Sequence, residues 1–433
     1  MKIINIEALQ ILDSRSNPTL QVEIILNDGS KGTFKVPSGA STGIHEALEL
    51  RDNNKNIYHG KSVFKTIENI NKIKEHLLNI EFNQNEFDNK LIKLDGTDNK
   101  ELIGANAILG MSIAFTKASA QFYNIPLYEY IYKLANNIKI NKLNKIKSEK
   151  ILENTNIHLF ANVINGGLHA GNSLNIQEFM IIPTFGTIQD KIRAISEIYT
   201  NLKNIISNNY SKSQTAVGDE GGFAPEISKA EEGLDLLMKA IKMSNYEGMI
   251  SLAIDAAASD FYNKATKKYE VEIGLKLDYK QLTEYYSNLI EKYPIISIED
   301  PMSEDDFEGF AYYMKNIKKL KSKNILNDKK EALNVGDDLL VTNPKRIKIA
   351  ITKKLVNSLL LKINQIGTLT ESIEAYKLAK NAGWHTIVSH RSGETTDDFI
   401  SDLAVGLNAS IKLGAPARGE RVAKYNRLLN IFR

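Results

Sequence analysis

Six short apolar runs in the second half of the chain end on a charged or titratable residue, in the order acid, acid, acid, Lys, His, Lys. They are Ile250-Ser-Leu-Ala-Ile-Asp255, Ile295-Ile-Ser-Ile-Glu299, Leu333-Asn-Val-Gly-Asp337, Leu359-Leu-Leu-Lys362, Thr386-Ile-Val-Ser-His390 and Ser410-Ile-Lys412. Carboxylates clustered at strand ends, without cysteine, make a hard oxygen site of the kind that holds Mg²⁺. Read singly, each acid serves equally well as a cap on the following helix; three in series favour the metal. Asp300 and Asp338 stand beside two of these acids, and since neighbouring strand residues face opposite ways, the spacing leaves open which of each pair enters the pocket. Lys362 closes a wholly apolar run, where burial and nearby cations lower an ammonium towards a usable base. Most lysines simply extend their heads to solvent.

Other candidates lie on small-residue loops. His169 sits in Asn165-Gly-Gly-Leu-His-Ala-Gly-Asn172, Glu220 in Gly218-Asp-Glu-Gly-Gly222, and Ser41 in Pro37-Ser-Gly-Ala-Ser-Thr-Gly43, a flexible hydroxyl-rich stretch suited to a lid or to a capping turn. His390-Arg391-Ser392-Gly393 combines a guanidinium, a hydroxyl and backbone N–H groups suited to an anion such as phosphate, against the alternative of a surface arginine.

These groups must be positioned by elements that converge. Buried strands alternating with amphipathic stretches are the pattern of a βα barrel, whose functional groups gather at the carboxyl ends of the strands. Such a barrel takes roughly 250 residues, so a chain of 433 predicts a second domain. Residues 1–135 supply it. A hairpin is predicted from Leu20-Gln-Val-Glu-Ile24 through the Asn27-Asp-Gly-Ser30 turn to Val36, with helices over 61–78 and 101–123, giving an α+β domain. Residues 136–157 read as an Asn/Lys-rich insertion or linker, and 158–433 as the barrel. The stretch 136–156 and a second Lys/Asn-rich stretch at 315–330 are expected on the surface as loops or solvated helices.

Lys+Arg of 55 against Asp+Glu of 52 gives a formal charge of +3, too balanced to make nucleic acid or an acidic membrane the main partner. The absence of cysteine removes disulfides, thiolate nucleophiles and thiolate metal sites, and fits a reducing compartment. The amino-terminal residues lack the apolar core of a secretory leader, and no uncharged apolar stretch is long enough to span a bilayer. A cytoplasmic location is the expectation.

Taken in order, Ser-Gly-Ala-Ser-Thr-Gly at 38–43, His-Ala-Gly-Asn at 169–172, Gln-Glu-Phe-Met at 177–180, Gly-Asp-Glu-Gly-Gly at 218–222, Ser-Ile-Glu-Asp-Pro at 297–301, Gly-Asp-Asp-Leu at 336–339, Leu-Lys-Ile-Asn-Gln-Ile-Gly at 361–367, Ser-His-Arg-Ser-Gly-Glu-Thr at 389–395 and Gly-Ala-Pro-Ala-Arg at 414–418 resemble the enolase family over almost the whole chain. The resemblance implies a modified (βα)8 barrel opening β-β-α-α, an α+β partner domain, and Mg²⁺-dependent dehydration of 2-phosphoglycerate to phosphoenolpyruvate in glycolysis and gluconeogenesis. It implies two Mg²⁺ per site, the tighter on Asp255, Glu299 and Asp337 and the second held with Ser41. It implies Lys362 as the base at carbon 2, Glu220 as general acid with Glu178 and His169 beside it, Lys412 on the substrate carboxylate, and Arg391 with Ser392 on the phosphate near His390 and Gln177. A homodimer or higher homo-oligomer is implied as well.

Four positions depart from the family pattern. Leu168 replaces a small residue, Ser16 a glycine, and the neutral Gln21 and Asn430 replace an acid and an arginine expected to pair across the dimer interface. A related proton-abstracting enzyme, such as a racemase or acid-sugar dehydratase, would share the barrel acids but lack the 38–43 loop and the His-Arg-Ser clamp. A binding or scaffold role is the reading from a different class, and intact Lys362, Glu220 and metal acids argue against it.

Overall fold

The computed structural model describes residues 1–39, 43–140, 148–321 and 323–433. An antiparallel sheet comes first: β1 (Ile3–Leu12), β2 (Pro18–Leu26) and β3 (Lys31–Lys35), in that order. The predicted hairpin is present as β2 and β3, with alternating residues of β2 buried as the period-2 pattern demands. Helices α1 (Phe64–Ile73), α2 (Gln84–Asp95), α3 (Ala105–Phe122) and α4 (Leu127–Ala135) follow. A reciprocal Asn83–Glu86 capping box starts α2, and Gly96 at φ 73° ends it.

Helix α3 is apolar nearly all round because it is covered on both sides. One side lies on the sheet, so closely that a Cβ on Gly32 would stand 2.0 Å from the Ala114 carbonyl oxygen. The other touches the barrel, where Ser112 Oγ accepts the Leu369 N–H at 3.0 Å.

After α5 (Ser148–Glu153), strands β4 (Leu159–Asn165) and β5 (Glu178–Pro183) run antiparallel, and helices α6 (Ile188–Asn209) and α7 (Ala230–Met243) precede β6 (Ile250–Asp255). This is the β-β-α-α opening. A small antiparallel sheet, β7 (Tyr262–Asn263), β8 (Lys268–Glu272) and β9 (Leu275–Leu277), then interrupts the barrel. Regular alternation follows through α8 (Tyr279–Lys292), β10 (Ile295–Glu299), α9 (Phe307–Asn316), β11 (Leu333–Gly336), α10 (Pro344–Lys353), β12 (Ser358–Leu361), α11 (Leu369–Asn381), β13 (His385–Ser389), α12 (Phe399–Leu407), β14 (Ser410–Lys412) and α13 (Gly419–Ile431). The strands β4, β5, β6 and β10 to β14 close into an eight-stranded barrel, β14 pairing with β4.

The barrel is packed inside by Phe160, Met180, Ile182, Leu333, Val335, Leu360 and Ile387. Leu326 joins that cluster, and buried Asn324 donates to the Ile296 carbonyl at 2.9 Å. The 315–330 stretch is thus not wholly a solvated surface segment; its middle is anchored on the barrel interior. Within 136–156, Ile151 of α5 is buried, while 141–147 lie outside the described residues. Ser16 adopts φ 60°, a left-handed conformation a glycine would accept more cheaply. Leu168 is 62% exposed.

Candidate active site

All six runs place their terminal residues at one end of the barrel. Asp255, Glu299 and Lys412 are the last residues of β6, β10 and β14, whereas Asp337, Lys362 and His390 lie one residue beyond their strands. One pocket is lined by His169, Gln177, Glu178, Glu220, Asp255, Asp300, Asp337, Asp338, Lys362, Ser389 to Ser392 and Lys412. Gln177 Oε1 and His169 Nδ1 are buried there with no hydrogen-bond partner among the described residues, which is costly unless a ligand supplies one. Ser41 lies outside the described residues.

The lysines organise the acids. Lys412 Nζ sits 2.9 Å from Glu299 Oε2, 3.1 Å from Asp255 Oδ2 and 3.1 Å from Glu178 Oε2. Burial alone would lower this ammonium, but Asp255, Glu178 and Glu299 outweigh it and hold it well above its ordinary value. A cation so nested shows that the oxygens converge on a point of positive charge, and an all-carboxylate set of this kind suits a hard divalent ion.

Lys362 is paired through Nζ with Asp337. Burial, Arg391 and Lys412 all lower it, yet Asp337 and Glu299 win and push it up to about 12. The expected lowering is therefore not found in the free protein, because the neighbouring acid dominates the neighbouring cations.

Both members of the acid pairs prove useful. The carboxylate of Asp300 accepts the backbone N–H groups of Asp337 at 2.9 Å and Asp338 at 2.7 Å, so it fixes the turn after β11. Oxygens of Asp300, Asp337 and Asp338 lie within 4.8 Å of one another, as do ligand atoms of His169, Glu178 and Glu220. Burial and the charges of Asp338 and Asp337 raise Asp300 well above the usual carboxylate range.

Across the pocket the two glutamates are pushed apart. Burial first, then the charge of Glu220, lifts Glu178 well above its ordinary value. Burial would also raise Glu220, but the positive charges around it, those of Arg421 and Lys412 among them, hold it well below. Of the two, Glu178 is the carboxyl that holds a proton more readily. Glu220 Oε2 also accepts from Asn162 Nδ2 at 2.9 Å and faces His390 Nε2 at 3.5 Å. Buried Arg421, always a donor, contacts His390 Nδ1, which fixes that nitrogen as the acceptor and leaves the N–H on Nε2, towards Glu220. Burial and the charge of Arg421 keep His390 neutral at physiological pH.

The anion clamp is engaged by the protein itself. Arg391 binds Glu46 through two contacts at 3.0 and 3.1 Å and Asn364 Oδ1 at 2.9 Å. The flank of the hydroxyl-rich loop is anchored here: Ser38 and Gly393 exchange backbone hydrogen bonds at 2.7 and 2.9 Å, and Ser38 Oγ donates to Asp13 at 2.6 Å. Ser38 therefore does not belong to a freely moving segment. Sequence reasoning missed Glu46, Asn162, Gln365 and Arg421. Gln365 lay within a quoted motif, and Asn162 lies on β4, one of the two barrel strands not among the six runs; Arg421, thirty-one residues beyond its histidine on α13, carried no local signal.

No helix among the described residues is long and apolar enough to cross a membrane. The family model described as "Enolase, N-terminal domain" matches residues 3–131, and "Enolase, C-terminal TIM barrel domain" matches 156–433. The chain is 48% identical to Enolase B of Dictyostelium discoideum, over 100% of this chain and 94% of that one. It is 46% identical to Enolase of Methanocaldococcus jannaschii, over 99% and 95%, and 46% identical to Enolase 1 of Entamoeba histolytica, over 100% and 96%. With both domains matched and the pocket assembled from the same motifs, the chain belongs to the enolase family, the phosphopyruvate hydratases among the lyases.

Proposed function

We propose that the chain dehydrates 2-phosphoglycerate reversibly to phosphoenolpyruvate with Mg²⁺, using Lys362 and the Glu178–Glu220 pair of one pocket. The observation that carries this reading is the arrangement of charge in one pocket: Lys362 is held by Asp337, and two buried glutamates, Glu178 and Glu220, have oxygens within 4.8 Å of each other and of His169. Lys362 removes the proton from carbon 2. The proton for the departing carbon 3 hydroxyl is supplied through Glu220 as general acid, drawn from the neighbouring Glu178, whose carboxyl burial favours in its protonated form, with His169 beside it. Lys412 meets the substrate carboxylate; Arg391 and Ser392 meet the phosphate, with His390 and Gln177 adjacent.

Asp255, Glu299 and Asp337 would hold the tighter Mg²⁺, and Ser41 would take part in holding a second. Bound there, Mg²⁺ supplies the fixed positive charge that a carbanion next to a carboxylate requires. With the charges of both Asp337 and Glu299 so committed, the remaining influences of burial, Arg391 and Lys412 on Lys362 favour the free amine.

The reading also includes a division into domains at 1–135, 136–157 and 158–433, a cytoplasmic setting and a homodimer or higher homo-oligomer. Gln21 and Asn430 would meet in that dimer as neutral amides, which strands no buried charge. The test is the ultraviolet absorbance of phosphoenolpyruvate formed from 2-phosphoglycerate. Turnover with Mg²⁺ that stops in excess chelator is expected; full turnover in chelator, or none with Mg²⁺, overturns the reading.

A further inference from the structure

Between the residues assigned as metal ligand and base, the backbone takes a conformation its side chains resist. Val341 and Thr342 are β-branched and fully buried, and both lie at positive φ, 43° and 52°. Such placements are strained for a β-branched residue and persist only where surrounding contacts over-determine them. The contacts here are specific. Thr342 Oγ1 accepts the backbone N–H of Lys362 at 2.9 Å and donates to Gln365 Oε1 at 2.8 Å. Gln365, 1% exposed, donates Nε2 to Asp337 Oδ1 at 2.9 Å. Lys362 Nζ binds the other oxygen of Asp337 and closes the ring.

We propose that Thr342 and Gln365 form a brace that sets Asp337 and Lys362 relative to each other, Gln365 being a positioning residue for both. This rests on the roles given to Asp337 and Lys362 above. The carboxamide suits the task because its polarity is fixed: it gives a hydrogen to Asp337 Oδ1 and takes one from Thr342, whatever the pH. The Asp337 carboxylate is thereby held through one oxygen, and the strained turn is what brings Thr342 to the end of β12. The brace also reaches the first domain. The Gln365 carbonyl accepts the Ala47 N–H at 2.9 Å, one residue after the Glu46 that binds Arg391. Docking of that loop and alignment of the assigned metal ligand and base thus share one residue.

The test compares Gln365→Leu, Thr342→Val and Thr342→Ser with the parent. Mg²⁺ alone is titrated by calorimetry, kcat and KM are measured, and denaturation midpoints are recorded. Gln365→Leu should lower kcat and Mg²⁺ affinity by about 10–100-fold, the usual cost of losing a group that orients a metal ligand, with KM within about threefold. Thr342→Val should move both in the same direction, and Thr342→Ser, which keeps the hydroxyl, should restore them. Because the residues act in one ring, the Gln365→Leu/Thr342→Val double variant should lose less than the sum of the singles. If Gln365→Leu does not fold, the threonine pair carries the same comparison. The brace is dismissed if kcat and Mg²⁺ affinity stay within about twofold of the parent in the folded variants, or if only the denaturation midpoint falls. Parental turnover by Lys362→Ala would remove the base assignment itself, whereas a dead Lys362→Ala beside a parental Gln365→Leu removes the brace alone.

Discussion

Replacing Lys412 by Met tests how the acids of the pocket are balanced. The substitution keeps the length of the stem and deletes the charge that lies 2.9–3.1 Å from Glu299, Asp255 and Glu178. Removing one partner of a buried pair costs about 3–5 kcal/mol, and here three carboxylates lose the same partner. Protonation limits the cost and gives it a sign. Glu178 and Glu299 already sit well above the ordinary carboxylate value because of burial and neighbouring acids, with Lys412 opposing. Without the lysine their folded-state values rise further while the unfolded values do not change. The folded variant then binds more protons than the unfolded chain from the ordinary carboxylate range upward, so its deficit grows as pH rises through that window. Denaturant unfolding in chelator should show a deficit of about 3–5 kcal/mol at neutral pH and a smaller one near pH 5. Saturating Mg²⁺ should recover part of it, since the ion binds the folded state preferentially. A deficit independent of pH, or none, would show that Lys412 is not what holds these acids.

Asp88 of α2 is fully buried and accepts the Thr370 N–H at 2.9 Å at the start of α11, and burial pushes it from 3.8 up to about 6. Its stability contribution should fall by about 3 kcal/mol as pH rises from about 4 to about 6, at 1.36 kcal/mol per pH unit; Asp88→Asn should flatten that slope in unfolding measured across the range, and an unchanged slope would refute the assignment. Gly32→Ala, whose Cβ would strike backbone atoms of Ala114 and Ala118 at 2.0 and 2.4 Å, should destabilise by about 1–3 kcal/mol or more by denaturant midpoint. Glu46→Gln should loosen the Arg391 contact and increase cleavage of the 43–47 region by a non-specific protease; equal resistance would show that the remaining contacts, such as the Ala47 N–H on the Gln365 backbone carbonyl, suffice to hold it.

The barrel was legible because strand ends carry a strong signal: an apolar run that stops at a charge marks both the strand and the mouth. All six runs fell on barrel strands. The β1 strand gave no such signal, since its apolar Ile4, Leu9 and Leu12 are exposed and break the alternation. The 315–330 stretch read as solvated because its lysines outnumber the two residues, Asn324 and Leu326, that anchor it. At the site, sequence showed which groups arrive but not how they pair. The order of strands puts Lys362 near cations and near Asp337 alike, and only the distance settles that the acid prevails and the ammonium stays charged. Likewise Glu46 reaches Arg391 across 345 residues, a contact made by the docking of one domain on the other.

The division of labour between Lys362 and Glu220 is the centre of the account, and exchange of the carbon 2 proton of 2-phosphoglycerate with deuterated solvent tests it most directly. Lys362→Ala should abolish that exchange together with dehydration. Glu220→Gln should block dehydration yet still exchange the carbon 2 proton, because the base and its wall of the pocket are untouched. Loss of exchange to the same extent in both variants, or exchange that survives in Lys362→Ala, would contradict the account.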